Sequence, residues 1–339
     1  MAPTTTNPIS RRIPAPAALI LPGVVLVLSL LSPVGHAVPV ASALGEPSEP
    51  QVDSMLIQAD ANGGREFESP LGVAIDAVAQ EIVVANSGLN RIEFFGADGH
   101  AHGFFVHRIF DATGVERDGL PKHVAVDARG RVLVVDAFAS YVNICDFRGR
   151  SVGRIEMPAP DNDLASGHGP GPIAIGPDGR IYVAARGKQG RIHVFDADGK
   201  WLSTWGETGN KPGQLAAITG LGVAPSGEVF VCCVSTELGV QVFDAKGAYL
   251  RGFGVHDIGP GRFSQPTGLV VTPEGRVWVT DNVRHNIQVF DITGKLLGVL
   301  GGGDGPGAIL YPSALASDGK GMFALVETGG KRLRLMWVR

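Results

Sequence analysis

Residues 266–291 read PTGLVVTPEGRVWVTDNVRHNIQVFD, and this stretch decides the fold. Runs of β-branched and apolar residues predict three short strands, at Gly268–Val271, Val277–Asp281 and Asn286–Phe290. The first two strands are separated by a Pro-Glu-Gly turn, where glycine supplies the positive φ that a short hairpin needs. A second glycine turn at 293–295 leads into another apolar run. The stretch therefore predicts one antiparallel unit of four strands.

The same unit recurs along the chain. Six segments align with its second strand: Ile82–Asn86, Val132–Asp136, Ile181–Ala185, Val229–Cys233, Val277–Asp281 and Met322–Val326. Their first residues lie 50, 49, 48, 48 and 45 positions apart, which is the period of one propeller blade. The sequence thus predicts an all-β fold over residues 53–339, a six-bladed β-propeller of four-stranded blades.

The ends of the repeat array suggest how the ring closes. The sixth unit stops after its third strand, Arg332–Met336, and so lacks a fourth strand. Ser54–Gln58, which precedes the first unit, is similar to fourth strands such as Tyr249–Phe253. We expect residues 54–59 to complete the last blade, because this pairing covers an exposed edge and ties the ring shut.

The repeat resembles the NHL-repeat family, whose pattern is roughly P-x-G-V-A-V-D-x-x-G-x-I-Y-V-A-D-x-x-N-x-R-I-x-V-F-D. The unit beginning at Pro70 matches through Asn90-Arg91-Ile92, and the unit beginning at Pro266 matches through Phe290-Asp291. The resemblance covers about residues 53–339 and implies a six-bladed propeller of the kind found in secreted bacterial NHL-repeat proteins. Cys233 and Val326 stand where the family often has aspartate.

The N-terminal segment predicts export. Arg11 and Arg12 precede an apolar run over residues 17–31, and a small-x-small pattern follows at residues 41–43. This order is typical of a secretory signal peptide. We assign residues 1–43 to the signal peptide and 44–52 to a linker.

Cleavage is expected after Ala43, or after Ala37 as second choice, which gives a periplasmic or extracellular protein. The alternative is an uncleaved segment in which residues 17–31 anchor the protein to a membrane. The apolar run is short for a spanning helix of about 20 residues.

Charge and cysteine content narrow the function classes. The formal net charge is −4, and it becomes −6 without Arg11 and Arg12, whereas nucleic-acid binding usually requires a basic face. Cys145, Cys232 and Cys233 have no zinc-site or haem-site spacing. We expect no nucleic-acid partner and no cofactor, and the sequence gives no support for calcium or zinc in the channel.

The predicted ring has two unlike faces. Turns between strands 1 and 2 and between strands 3 and 4 are short and share one face, while the longer, varied loops share the other. Function tends to reside on variable loops carried by a rigid scaffold. The candidates for this binding face are Asn86, Asn90, His123, Asp136, Tyr141, His168, Arg186, Asp281, Arg284 and His285.

Two features of this face have more than one interpretation. His123 stands where the family has glycine, so it is either an imidazole at the channel mouth or a structural histidine. The longest loop, residues 158–170, contains Asp161, Asp163 and His168. These side chains are able to bind a metal or form part of a lid, and the alternative is a solvated loop. Asn90, together with Arg91 and Arg191, matches the family consensus, which favours a structural role between blades.

The site residues of enzymes with similar propellers match this sequence poorly. The related peptidyl-hydroxyglycine lyases carry zinc on histidines after the proline that opens strand 1. The corresponding positions here are not histidine: Leu71, Lys122, Gly171, Thr267 and Ser313. Gluconolactonase-type propellers use inward carboxylates and amides. Asn86, Asp136 and Asp281 occupy repeat-equivalent positions, but they also match the NHL consensus.

The sequence therefore favours a binding or scaffolding module over an enzyme, with a protein, peptide or glycan held on the long-loop face. The alternative is a metal-dependent propeller enzyme, a lyase or lactone hydrolase. Nucleic-acid binding is a third hypothesis, which the acidic charge disfavours.

Overall fold

In a computed structural model, residues 52–111, 113–305 and 307–338 are described. Six antiparallel sheets of four strands each form the blades of a β-propeller. This arrangement confirms the predicted fold class. The signal peptide predicted over residues 1–43 lies outside the described residues.

The strands follow one another blade by blade. The chain enters through β1 (Val52–Ile57). Blade 1 consists of β2 (Pro70–Asp76), β3 (Glu81–Asn86), β4 (Arg91–Gly96) and β5 (Ala101–Val106). A small ribbon follows, formed by β6 (Arg108–Phe110) and β7 (Glu116–Asp118). Blade 2 consists of β8 (Pro121–Val126), β9 (Val132–Asp136), β10 (Tyr141–Cys145) and β11 (Ser151–Glu156). Blade 3 consists of β12 (Pro170–Ile175), β13 (Ile181–Ala185), β14 (Ile192–Phe195) and β15 (Trp201–Trp205).

The second half continues in the same order. A two-stranded parallel pair, β16 (Glu207–Thr208) and β17 (Gln214–Leu215), separates blades 3 and 4. Blade 4 consists of β18 (Ile218–Val223), β19 (Val229–Cys233), β20 (Leu238–Phe243) and β21 (Tyr249–Val255). Blade 5 consists of β22 (Pro266–Val271), β23 (Arg276–Asp281), β24 (Asn286–Asp291) and β25 (Leu296–Gly301). Blade 6 contains β26 (Pro312–Ser317), β27 (Met322–Glu327) and β28 (Arg332–Val338). The described ranges also contain two short 3₁₀ helices, Ser87–Leu89 and Leu164–Ser166.

The ring closes as the repeat count predicts. β1 pairs antiparallel with β28, so that Val52 lies opposite Val338 and Ile57 lies opposite Leu333. The last sheet has the order β1-β28-β27-β26. The closing strand begins two residues before the predicted start at Ser54, and it supplies the missing fourth strand of blade 6.

Apolar side chains on both faces of the sheets form the core between blades. The interface of blades 4 and 5 buries Phe230, Phe263 and Phe290. Across blades 5 and 6, the rings of Trp278 and Phe323 lie 4.3 Å apart, centroid to centroid. Burying large aromatic side chains is the main source of stability in such a core.

The inner strands approach each other closely where the sequence has glycine. A Cβ atom at Gly72 would lie 2.6 Å from the carbonyl oxygen of Lys122 in the next blade. The equivalent Cβ at Gly220 would lie 2.3 Å from the carbonyl oxygen of Thr267. Glycine at this repeat position therefore lets neighbouring backbones come together at the channel.

The sheet register corrects one position in blade 6. Glu327 lies opposite Pro312, as Asp281 lies opposite Pro266 in blade 5. The prediction that Val326 occupies the aspartate position was therefore wrong. The apolar run of β27 begins one residue earlier in the repeat than in the other blades, at Met322. The predicted alignment started from this first apolar residue, and it therefore placed the aspartate position one residue too early.

Within the described ranges, no helix is long and apolar enough to cross a membrane.

Candidate ligand-binding cavity

A cavity of about 600 Å³ opens at the centre of the long-loop face. We call it the mouth cavity. All six blades contribute to its wall, through the first residues of their inner strands and the adjoining loops. Its lining includes Leu71, Lys122, His123, Pro172, Arg186, Ile218, Thr219, Gln265, Thr267, Asn282, Tyr311, Ser313 and Thr328. The size falls within the range of small-molecule pockets, about 300–1,000 Å³.

A narrow channel continues below the mouth cavity along the ring axis. It encloses about 60 Å³ between the six inner strands. His123 lines both the channel and the mouth cavity, and so stands at the boundary between them. The glycine-to-histidine change noted in the sequence therefore places an imidazole at the channel mouth.

His123 is a neutral side chain at physiological pH. Burial lowers its pKa from 6.5 to about 4, and the neighbouring charge of Lys122 acts in the same direction. Among the described residues, nothing hydrogen-bonds to its ring. The imidazole is therefore able to offer one donor and one acceptor to a bound molecule.

Arg186 is fixed in the wall by two backbone carbonyls. Its Nη1 donates to the carbonyl oxygen of Ala137 at 2.7 Å, and its Nη2 donates to that of His168 at 3.1 Å. Burial lowers the pKa of Arg186, and the charge of Asp136 opposes that shift. An arginine remains protonated in proteins, so a rigid positive charge faces the cavity.

Lys122 adds a second positive charge. It is half-buried, and no carboxylate pairs with it in the described part of the chain. No aspartate or glutamate is among the described residues that line the mouth cavity. The wall therefore carries positive charge on the side of blades 2 and 3, although the whole chain is acidic.

The opposite side of the mouth carries hydroxyl groups that connect neighbouring blades. Thr219 Oγ1 donates to the carbonyl oxygen of Pro266 at 2.6 Å, and Thr267 Oγ1 donates to that of Pro312 at 3.0 Å. Thr328 Oγ1 donates to the carbonyl oxygen of Pro70 at 2.6 Å. Each bond joins one blade to the next, so these hydroxyls fix the mouth as well as line it.

Of the ten residues predicted for this face, His123 and Arg186 line the mouth cavity. Three others are buried at the ends of the second strands: Asn86, Asp136 and Asp281. Asp281 accepts hydrogen bonds from the backbone N–H groups of Ser264 and Gln265. These side chains hold loops in place and do not form part of the cavity wall.

Asn86 and Asp136 have similar surroundings. Asn86 Oδ1 accepts from the N–H of Glu68, and its Nδ2 donates to Glu93. Asp136 accepts from the N–H of Phe138, and its second oxygen lies 3.4 Å from His107 Nε2. The Asn86 amide is therefore committed to protein partners, whereas Asp136 engages the protein through Oδ1 and its buried Oδ2 makes no hydrogen bond to the described residues.

The remaining five predicted residues lie around the face and outside the cavity lining. Tyr141 is buried and accepts from the N–H of Phe110. Asn90 adopts a left-handed backbone conformation, with φ 57°. The Arg284 guanidinium donates to the carbonyl oxygens of Asp257 and Gly259.

His285 and His168 support lining residues. The His285 ring lies 4.1 Å from the ring of Tyr311, centroid to centroid. His168 Nδ1 contacts the carbonyl oxygen of Pro160 at 3.0 Å, and its Nε2 contacts Gln189. Neither histidine is part of the cavity wall itself.

Buried polar contacts anchor the loop over residues 158–170. Asp161 accepts from Arg191 through both oxygens, at 2.7 and 2.8 Å, and lies 3.0 Å from His193 Nε2. Burial acts to raise the pKa of Asp161, but the bonds from Arg191 and His193 outweigh it and lower the pKa. Asp161 thus fixes the loop, and Asp163 caps the 3₁₀ helix at 164–166. In the described ranges, no three His, Cys, Asp or Glu side chains form a group able to hold a metal ion.

Several lining residues were not among the predicted candidates. Lys122 and Thr267 directly follow the proline that begins strand 1, at the position where the related lyases carry zinc-binding histidines. Tyr311 precedes such a proline, and half of its side chain is exposed. Its ring packs over Gly329, where a Cβ atom would lie 2.2 Å from the ring. The sequence signal that pointed to these lining residues was their position next to the proline that begins strand 1.

Comparison with known proteins agrees with this fold. The sequence model of the NHL repeat family matches residues 263–290, which include most of blade 5. This chain is an NHL-repeat propeller with six blades. No curated protein matches the NHL propeller in a sequence search.

Solved structures resemble the NHL propeller along most of its length. A gluconolactonase from Xanthomonas campestris is 18% identical, with a TM-score of 0.61, over 91% of this chain and 99% of that one. A streptogramin B lyase is 13% identical, with a TM-score of 0.58, over 87% and 100%. Virginiamycin B lyase from Staphylococcus aureus is 12% identical, with a TM-score of 0.54, over 86% and 100%. At these identities the likeness is one of fold.

Proposed function

We propose that this NHL propeller is an exported binding module that holds a glycan in the mouth cavity of its long-loop face. One observation carries the proposal: a single cavity of about 600 Å³ is walled by all six blades at the centre of that face. Rigid strand ends form the wall, so the binding groups are preorganised.

The chemistry of the wall suits a sugar. The Gln265 side-chain amide is free of hydrogen bonds to the described residues, and Asn282 uses only its Nδ2, which donates to the carbonyl oxygen of Pro312. These amides, with His123, are able to pair with sugar hydroxyls as donors and acceptors. Tyr311 presents an aromatic surface on which the C–H face of a pyranose ring is able to pack.

A glycan array, followed by calorimetric titration of the strongest ligand, tests the proposal. We expect Tyr311→Ala to weaken binding by about tenfold or more, because the aromatic surface is lost. Tyr249→Ala is the matched control, since Tyr249 is a partly exposed tyrosine on the outer strand of blade 4. Absence of any glycan ligand, or binding of peptides in place of glycans, would contradict the proposal.

A metal-dependent enzyme is the second candidate, and fold likeness to a gluconolactonase and to a streptogramin B lyase is what favours it. The lining fits this function less well. The repeat-equivalent carboxylates Asp136 and Asp281 are buried and bonded to the protein. Metal analysis of the purified protein by mass spectrometry tests the candidate. Stoichiometric metal, released only by strong chelators, would favour the enzyme.

A further inference from the structure

The mouth cavity carries an asymmetry of charge that neutral sugars do not require. We infer that its glycan is acidic, and that Lys122 and Arg186 bind the carboxylate or sulfate group of one sugar residue. This inference rests on the proposed function, because it names the class of glycan for the same cavity.

Arg186 lines the cavity and keeps N–H donors that make no hydrogen bond to the described residues. A guanidinium has five N–H donors, and the carbonyls of Ala137 and His168 engage two of its nitrogen atoms. Those acceptors are neutral, so the charge is not balanced by an ion pair within the wall. Asp136 is near enough to affect the pKa of Arg186, but it is buried and does not line the cavity. Arginine held in this way is suited to a planar carboxylate or a sulfate oxygen.

Small residues leave space around the guanidinium. A Cβ atom at Gly169 would lie 2.9 Å from Arg186 Nη2, so a larger residue there would crowd the charged group. Gly171 occupies the repeat position of Lys122, Thr219 and Thr267, and it adds no side chain to this side of the wall. Glycine at these two positions therefore places no side chain next to the charge.

Lys122 stands where blades 4 to 6 use a hydroxyl that bonds to the next blade. A hydroxyl in this position stabilises the ring, whereas the Lys122 side chain makes no hydrogen bond or ion pair with any described residue. Its ammonium group is therefore a cation at the cavity wall without a protein partner. An anionic group in the cavity would pair with it, which gives the lysine a function in binding.

Paired ligands that differ only in charge test the inference by calorimetry. One pair is trigalacturonic acid and its methyl ester, and the other is a sulfated galacto-oligosaccharide and its unsulfated form. We expect the acidic member of one pair to bind about tenfold or more tightly than its neutral partner. Which pair shows the preference identifies the anionic group. Raising the salt concentration should weaken only the acidic member.

Variants of lysine residues test whether the cavity wall is responsible for the preference for the acidic ligand. We expect Lys122→Met to reduce the preference for the acid to about threefold or less, and Lys122→Arg to restore most of it. Lys188→Met is the matched control, because Lys188 is an exposed lysine in the loop that contains Arg186 and does not line the cavity. A thermal melt verifies that each variant is folded, and Lys122→Arg provides the test if Lys122→Met does not fold.

Three outcomes would overturn the inference, and they are distinguishable from one another. Equal binding of the acidic and neutral members would refute acidic recognition while leaving glycan binding intact. Failure of every glycan on the array to bind would remove both the inference and the proposed function. Unchanged preference in Lys122→Met would show that the acid is recognised elsewhere.

Discussion

The two sides of the mouth cavity use the same backbone positions for different purposes. On the side of blades 4 to 6, Thr219 and Thr267 follow the start of strand 1 and bond to the proline carbonyl of the next blade. We call this the bonded side. On the side of blades 2 and 3, the same position is Lys122 or Gly171, followed in blade 2 by His123. We call this the charged side.

The difference shows how a repeat protein acquires a site. A blade that keeps the hydroxyl contributes a link to the ring, and a blade that loses it frees a position at the mouth. Arg186 then links blade 3 to blade 2 through the carbonyl of Ala137. The charged side therefore keeps its connection between blades while it presents cations to the cavity.

The largest difference in stability between variants of the two sides is expected at the last residue of the second strand. Glu327, next to the bonded side, is fully buried and accepts from Arg332 and Arg334. Glu327→Ala should lower the free energy of unfolding by about 3–5 kcal/mol, because two arginines lose their buried partner. The equivalent Asp136→Ala should cost less, since Asp136 has one backbone donor and a histidine at 3.4 Å. Urea denaturation of both variants measures the difference, and equal losses would contradict this contrast.

A pH-dependent loss of stability should come from the charged side. The pKa of His123 is about 4 in the folded protein and near 6.5 when unfolded, so the unfolded chain binds more protons between these values. Stability should therefore fall as the pH falls from 6.5 to 4, by up to about 3 kcal/mol from this residue. Denaturation of wild type and His123→Asn at pH 7 and pH 4.5 measures it. A variant that retains the full pH dependence would show that other groups, such as His193, are responsible.

The smallest effects on stability are expected for single side chains at the second residue of strand 1. Thr267→Val removes the donor to the Pro312 carbonyl, which still accepts from Asn282 at 3.1 Å. We expect a loss of about 1 kcal/mol in the free energy of unfolding. Lys122→Met should leave stability within about 0.5 kcal/mol, because it breaks no bond to the described residues. Reversal of this order would remove the distinction between the two sides.

The fold could be predicted because its signals are local. Alternation within residues 266–291 defines the strands, and the spacing between repeats gives the blade count. The fourth strand missing at the end of the array also predicted the pairing of β1 with β28. Glu327 shows the limit of this method, since register is fixed by pairing with Pro312 and not by the first apolar residue.

The site was harder to predict because residue type does not reveal direction. Asp136 and Asp281 have the chemistry of a site, but their side chains turn toward neighbouring loops and bond there. Arg186 and Lys122 line one cavity only because the ring brings blades 2 and 3 together at the mouth. His123 was identified because it departs from a glycine consensus, and departures from the repeat were more informative than agreement with it.

The pairing of β1 with β28 also sets the order of assembly. β1 precedes every blade in the chain, and its partner, Arg332–Val338, belongs to the sixth blade. The longest-range contact of the ring can therefore form only after every blade has left the ribosome. Contacts between residues so far apart in sequence are typical of slow folding. Until they form, an incomplete ring exposes the edges of two strands.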